Sequence, residues 1–291
     1  MNKYLIIINR FSGGGRVEKY ESVIFDYFSS RNYAFKVEYT KGSNDALRIA
    51  KEYSSSDYNY YVICGGDGTI NEVINGLSSY SKVLIVLPFG TVNIFAKEYK
   101  ISKNINKALH EIFNGEKKQL YIGNSNGKKF ILMQSVGIDS FVVKCINHNL
   151  KKLFGRGSYF LMFIKAIFLY KYPLIKIRAN NQEYQGTFIL VSQSIYYAGF
   201  LKITPDAKMD KGLFDVCLLK KGGFYSLIKF LLFVILNINH HNKDCIYFCS
   251  DNLLVSGPAI CSQSDGELSD ELPLDISIYN QKINFLVPNP E

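Results

Sequence analysis

An α/β domain built on a parallel sheet, followed by a larger and mostly antiparallel β domain, is the fold class this sequence predicts. Three observations carry it. From residue 4 to about 118, short runs that are apolar on both faces alternate with segments of helical periodicity, the mark of a parallel sheet covered by helices. Beyond that point strand-like runs follow one another, which reads as an antiparallel domain with helices attached. Three of the early runs end in glycine-containing turns, and α/β sheets bind ligands at the carboxyl ends of their strands. A chain of 291 residues holds about two domains at roughly 150 residues each. We place them at 1–120 and 121–291, with the last residues able to pack back on the first domain, and the cleft between them is the first place to look for a ligand.

The elements follow in order. Residues 4–9 (YLIIIN) form a strand, closed by the turn Ser12 to Gly15. Val17, Tyr20, Val23, Ile24, Tyr27 and Phe28 recur at helical spacing and predict a helix over 16–31. Residues 34–40 alternate like a strand, 43–54 fit a helix, and 59–64 (NYYVIC) form an apolar strand ending in Gly65-Gly66-Asp67-Gly68-Thr69. Thr69 and Glu72 have the spacing of a capping box, which predicts a helix from Ile70 to about Leu77. Residues 82–87 are a further strand, closed by Pro88-Phe89-Gly90-Thr91. In the second domain, strands are expected at 129–134, 174–179, 186–193, 213–219, 245–249, 252–256, 273–279 and 282–287, with helices over 140–171 and 223–238.

Composition narrows the function. With 47% hydrophobic and 20% charged residues, disorder as the main state is excluded. Twenty-two glycines and seven prolines exclude a collagen-like or linker-like chain. The net charge of +9 favours an anionic partner: nucleic acid, an acidic membrane surface or a phosphorylated ligand. Six unpaired-looking cysteines point to a reducing cytoplasm. His240 and His241 before Cys245 read as a polar loop leading into a strand with buried cysteines, because no second ligand pair completes a zinc set. The Tyr4–Ile8 run is too short for a signal segment, and Phe224 to Leu236, which contains Lys229, falls short of the roughly 20 residues a membrane span needs.

The strongest local signal is the stretch VICGGDGTINEVING at 62–76. Glycines there permit close backbone approach, and the amides at a helix start seat phosphate. Asp67, itself anionic, serves such a site only through a divalent cation such as Mg²⁺. An ordinary strand–turn–helix corner explains one such turn equally well. Ser12-Gly13-Gly14-Gly15 and Gly90-Thr91-Val92-Asn93 at the same edge of the sheet shift the balance toward a ligand. The first turn lacks the GKS of a Walker loop, and no GxGxxG with a ribose-binding acid occurs.

Taken in order over nearly the whole chain, the motifs resemble those of the bacterial soluble diacylglycerol kinase and lipid kinase family, whose catalytic domain is related to sphingosine and ceramide kinases. They are Asn9-x-x-Ser12-Gly13, Thr40 before a helix, Gly65 to Thr69, Asn71-Glu72-x-x-Asn75-Gly76, Pro88-x-Gly90-Thr91-x-Asn93, Gly137-x-Asp139, Pro205-x-Ala207-x-x-Asp210-x-Gly212 and Asp265-Gly266-Glu267. The resemblance implies an ATP-dependent kinase acting on a lipid hydroxyl, diacylglycerol-like in the first instance. It implies a nucleotide-binding first domain, with Asn9, Ser12, Gly13, Gly14, Thr40, Gly65, Gly66, Asp67, Gly68, Thr69 and Thr91 around the ATP. Asp67 would steer Mg²⁺ on the phosphates, and Glu267 would be the general base. Read without the resemblance, Asp265 to Glu267 is a hairpin turn.

Three positions depart from the family pattern. Arg10 stands where proline is usual and reads as solvated. Ile94 replaces an aspartate that would join the magnesium network. Lys211 replaces a second acid of a structural magnesium site, and a lysine cannot bind Mg²⁺; either its ammonium stands in for the ion or the site is absent. Between Asp139 and Glu183 there is no acidic residue but there are eight cations, with aromatics from Phe154 to Tyr172 interleaved. That composition fits peripheral docking on an anionic membrane, at about 1 kcal/mol per cation. Nucleic acid is a poor second, lacking any recognised motif. Competing readings are an NAD kinase, which shares the GGDGT turn, and a catalytically silent nucleotide- or lipid-binding protein. The acceptor lipid and the oligomeric state, a homo-oligomer included, stay open.

Overall fold

The computed structural model describes residues 2–145 and 156–289. The chain divides into two compact units, residues 1–122 with 280–291, and residues 123–279.

The first unit is built on one six-stranded sheet in the order β2-β1-β3-β4-β18-β5. Its strands are β1 (Lys3–Ile8), β2 (Ala34–Tyr39), β3 (Tyr60–Gly65), β4 (Val83–Pro88), β5 (Glu116–Leu120) and β18 (Ile283–Val287). β2, β1, β3, β4 and β18 run parallel, and β5 pairs antiparallel with β18. All six residues of β4 and five of the six in β1 and β3 are buried, because helices cover both faces. Those helices include α1 (Glu21–Ser29), α2 (Asp45–Glu52), α3 (Asp67–Gly76), α4 (Ile94–Glu98) and α5 (Ile105–Phe113). Apolar positions three and four apart turn α5 inward on Ile105, Ala108, Leu109 and Ile112. The expected helix over 16–31 is divided: a 3₁₀ turn spans Arg16–Tyr20 before α1 begins.

The second unit is a sandwich of two six-stranded antiparallel sheets, β10-β9-β14-β17-β6-β7 and β13-β12-β11-β8-β15-β16. The first holds β6 (Gly123–Ser125), β7 (Lys128–Phe130), β9 (Ile175–Ala179), β10 (Gln182–Gly186), β14 (Asn252–Ser256) and β17 (Leu274–Ile278). The second holds β8 (Met133–Val136), β11 (Phe188–Ser192), β12 (Phe214–Leu219), β13 (Cys245–Ser250), β15 (Cys261–Ser264) and β16 (Glu267–Glu271). In β9 the buried Ile175, Ile177 and Ala179 alternate with exposed Lys176 and Arg178. These inward residues join Val191, Val216, Leu253 and Ile276 from both sheets in one core, where Phe130 stacks on Phe214 at 5.5 Å. Among the described residues the helices α6 (Ile138–Cys145), α7 (Arg156–Leu169) and α8 (Phe224–Ile235) attach. The helical stretch expected over 140–171 contains α6 and α7, and residues 146–155, with Lys151, Lys152 and Phe154, lie outside the described residues. Among the described residues no helix is long and apolar enough to cross a membrane.

Candidate functional site

The strand order reverses between β1 and β3: the chain leaves β1 for β2 on one side and returns to β3 on the other. A crevice outside the carboxyl ends of the strands is expected at such a switch point. The expected ligand residues of the first unit all lie at this edge. Asn9 and Ser12–Gly14 follow β1, Thr40 follows β2, Gly65 to Thr69 end β3 and open α3, and Thr91 follows β4.

Close packing joins these loops. A Cβ added at Gly90 would sit 2.4 Å from the Gly66 Cα and 2.5 Å from Asn93 Oδ1, so the β3 and β4 turns meet backbone to backbone. Gly13 has φ +56°, and a Cβ there would fall 2.1 Å from the Phe89 carbonyl oxygen. Asn9 Nδ2 donates to Thr69 Oγ1 at 3.0 Å, while Asn9 Oδ1 accepts from the Phe11 N–H at 3.0 Å. Arg16, which the sequence did not single out, donates to Gly13 O at 3.2 Å and to Gly90 O at 2.8 Å, fastening the first turn to the third. Its place directly after the glycine run was the available signal. Two polar atoms of this rim, Thr40 Oγ1 and Asn93 Oδ1, are buried without a hydrogen-bond partner among the described residues.

The capping box is corrected by the structure. α3 starts at Asp67, two residues before Thr69, with Gly66 at its cap position. Glu72 accepts the Asn44 and Ala46 N–H groups, both at 3.0 Å, and so caps α2 instead. Asp67 has a comparable distant partner. Its Oδ2 accepts the Ile94 N–H at 2.9 Å and its Oδ1 the Phe95 N–H at 3.1 Å, at the N-terminus of α4. Burial pushes the Asp67 carboxyl above its ordinary range, against the lowering effect of those N–H groups. Each oxygen keeps acceptor capacity, since a carboxylate has about four lone-pair sites. Ile94, where the family pattern has an acid, is buried. Arg10 is not simply solvated: it forks onto Glu21 with two bonds of 2.8 Å and lies over the Tyr39 ring at 4.0 Å.

In the second unit, Asp265 and Gly266 occupy the tip of the β15–β16 hairpin at φ 49° and 87°. Positive φ at both central residues is what a tight two-residue hairpin demands. The Asp265 carboxylate accepts three backbone N–H groups, from Ile131, Leu132 and Met133, at 2.8, 2.8 and 2.9 Å. Glu267 follows at the start of β16 and is exposed. Behind the hairpin lies a buried network that the Gly137-x-Asp139 motif touched without explaining. Asp139 accepts from Ser135 Oγ, from Tyr197 OH at 2.9 Å and from the Ser140 N–H at 2.7 Å. Gln263 Nε2 donates to Ser135 Oγ at 2.7 Å, and its Oε1 accepts the Gly266 N–H at 2.8 Å. Burial raises the Asp139 carboxyl despite those bonds, and burial together with Asp139 raises the Tyr197 phenol. Lys211 Nζ stands 3.4 Å from Asp215 Oδ2 and 3.3 Å from Cys249 Sγ. Among the described residues no three His, Cys, Asp or Glu side chains gather as a metal-ligand group.

A glycine-lined loop cluster at the switch point of a parallel sheet, carried in one chain with an antiparallel β-sandwich, defines a two-part enzyme-type architecture. Residues 3–125 match the diacylglycerol kinase catalytic domain, and residues 133–287 match the YegS C-terminal NAD kinase beta sandwich-like domain. The chain belongs to the diacylglycerol kinase family of lipid kinases. It is 27% identical to a diacylglycerol kinase of Bacillus subtilis (strain 168), over 99% of this chain and 97% of that protein. It is also 27% identical to a diacylglycerol kinase of Staphylococcus carnosus (strain TM300), over 86% of this chain and 83% of that one. A solved diacylglycerol kinase structure from Bacillus anthracis str. Sterne shares the fold, with a TM-score of 0.80 at 22% identity over 98% of this chain and 97% of that chain.

Proposed function

We propose that this chain transfers the γ-phosphoryl group of ATP to the hydroxyl of a diacylglycerol-like lipid. The observation that carries the reading is the rim of the first unit. Three glycine turns converge there, and the buried Thr40 hydroxyl and Asn93 amide oxygen are left for a ligand's polar groups to satisfy. Asn9, Ser12 to Gly14, Gly65 to Thr69 and Thr91 would line the nucleotide. Magnesium, when bound, supplies charge neutralisation on the phosphates. Asp67 would serve that role through metal-bound water, because a carboxylate that accepts N–H groups at the start of α4 has about four lone-pair sites in all.

Glu267 is the proposed base. It takes the hydroxyl proton as the acceptor oxygen bonds to the γ-phosphorus and the bond to the β–γ bridging oxygen breaks, releasing ADP. Asp265, held by three N–H groups, fixes the turn that presents Glu267. Positioning and charge stabilisation are most of what phosphoryl transfer requires. Incubation with labelled ATP, a membrane lipid extract and NAD as a control acceptor tests the reading. Label in lipid supports it; label in NAD favours the NAD kinase reading that the second matched domain keeps in view; no label favours a silent binding protein. Glu267→Gln should retain ATP binding and lose about 10²–10⁴-fold in transfer. Full activity in that variant removes Glu267 from the mechanism.

A further inference from the structure

α8 buries Leu227, Phe230 and Val234 against the second unit, at the spacing of an ordinary amphipathic helix. Its opposite face should then be polar, and it is not. Tyr225 is 87% exposed, Leu232 52% and Ile235 60%. The patch continues onto α7, where Phe168 is 72% exposed and stacks on Phe224 at 5.7 Å. Contiguous exposed apolar surface of this kind marks a docking site.

The charge around it selects the occupant. α7 and α8 come from two stretches, 140–182 and 216–243, that contain no aspartate or glutamate. The exposed Lys165, Lys171, Lys221 and Lys229 therefore fringe the patch with positive charge, and among the described residues Asp244, paired with Lys229, offsets part of it. A second copy seated on this face would set cations against cations. An anionic bilayer would meet the fringe with phosphate and receive the aromatic and aliphatic side chains below it.

We propose that the α7–α8 face inserts into the surface of an anionic lipid bilayer, with Phe168, Tyr225 and Leu232 entering the acyl boundary and the lysines meeting headgroups. This deepens the lipid kinase reading, on which the acceptor's place in a bilayer rests, but the binding itself involves neither ATP nor Glu267.

The chain contains no tryptophan, so Tyr225→Trp gives a single reporter. With vesicles of phosphatidylglycerol and brominated phosphatidylcholine, its emission should be quenched. A control Leu254→Trp, on β14, should stay bright. The triple variant Phe168→Ser/Tyr225→Ser/Leu232→Ser should lower the vesicle partition coefficient at least tenfold and yet phosphorylate a short-chain, water-soluble diacylglycerol at the wild-type rate. Unchanged partition in the triple variant, equal quenching at both reporters, or equal binding to vesicles of phosphatidylcholine alone would overturn the proposal. So would a patch-dependent dimer in sedimentation that the triple variant abolishes. Failure of transfer to every acceptor, with vesicle binding intact, would strike the kinase reading and leave this one standing.

Discussion

Removing the Asp67 carboxylate separates two jobs that fall on one side chain. In Asp67→Ala the Ile94 and Phe95 N–H groups lose their acceptor at the start of α4. An orphaned buried donor costs about 1–3 kcal/mol, and loss of a helix cap about 0.5–2 kcal/mol. The carboxylate's own burial, which raises its pKa, offsets part of this, since deleting it also deletes a desolvation cost. The net expectation is about 1–3 kcal/mol, or roughly 2–10 °C in the unfolding temperature of the first unit. Asp67→Asn keeps one acceptor oxygen and should fall between. The damage should stay near α4, whose Phe95 packs on Phe285 at 4.6 Å. Thermal unfolding by circular dichroism without nucleotide reads the cap; magnesium-dependent transfer reads the metal role. An Asp67→Ala protein that unfolds with the wild type would refute the cap argument. One that is destabilised yet transfers phosphoryl groups normally would refute the metal role.

Other expectations follow from single contacts. Gly90→Ala should cost about 1–3 kcal/mol by pressing on Gly66, whereas Gly14→Ala, with open space around it, should cost about 1 kcal/mol from its positive φ alone; chemical denaturation compares them. Arg10 holds the Glu21 carboxyl below its ordinary range. The stability this lends is present above the unfolded-state pKa of about 4.3 and fades as pH falls through the folded value. Acid titration of stability should therefore be shallower in Glu21→Gln than in the wild type, and identical slopes would discount the pair. Chelating magnesium before ATP is added should leave the unfolding of the second unit unchanged, because the Lys211 ammonium already faces Asp215. Lys211→Asp should instead become less stable and regain stability with added Mg²⁺; a fall in wild-type stability on chelation would end that account.

The parallel sheet was legible because β1, β3 and β4 are unbroken apolar runs alternating with helical periodicity, as strands covered on both faces require. β5 (EKKQL), β10 (QEYQG) and the strands β15 and β16 flanking the hairpin turn read at Asp265–Glu267 were passed over, since edge positions and polar partners leave them without an apolar signature. The glycine turns announced the rim, because close backbone approach restricts the residue type there. The partners of the acids were not legible. Asp67 caps a helix that begins 27 residues later, Glu72 one that lies 26 residues earlier, and Asp265 gathers amides more than 130 residues upstream. Local spacing suggested a capping box at Thr69 and Glu72, and tertiary packing used both residues differently.

β18 lies between β4 and β5, although β5 is made long before it. During synthesis, β4 and β5 wait for their middle neighbour while all of residues 123–279 are translated, roughly ten to thirty seconds at cellular rates. Until the ribosome has delivered Ile283–Val287, the first unit is a sheet with a gap in it. The sheet of the first unit is thus completed only when β18 joins β4 and β5, so that chaperone demand should peak just before that strand arrives.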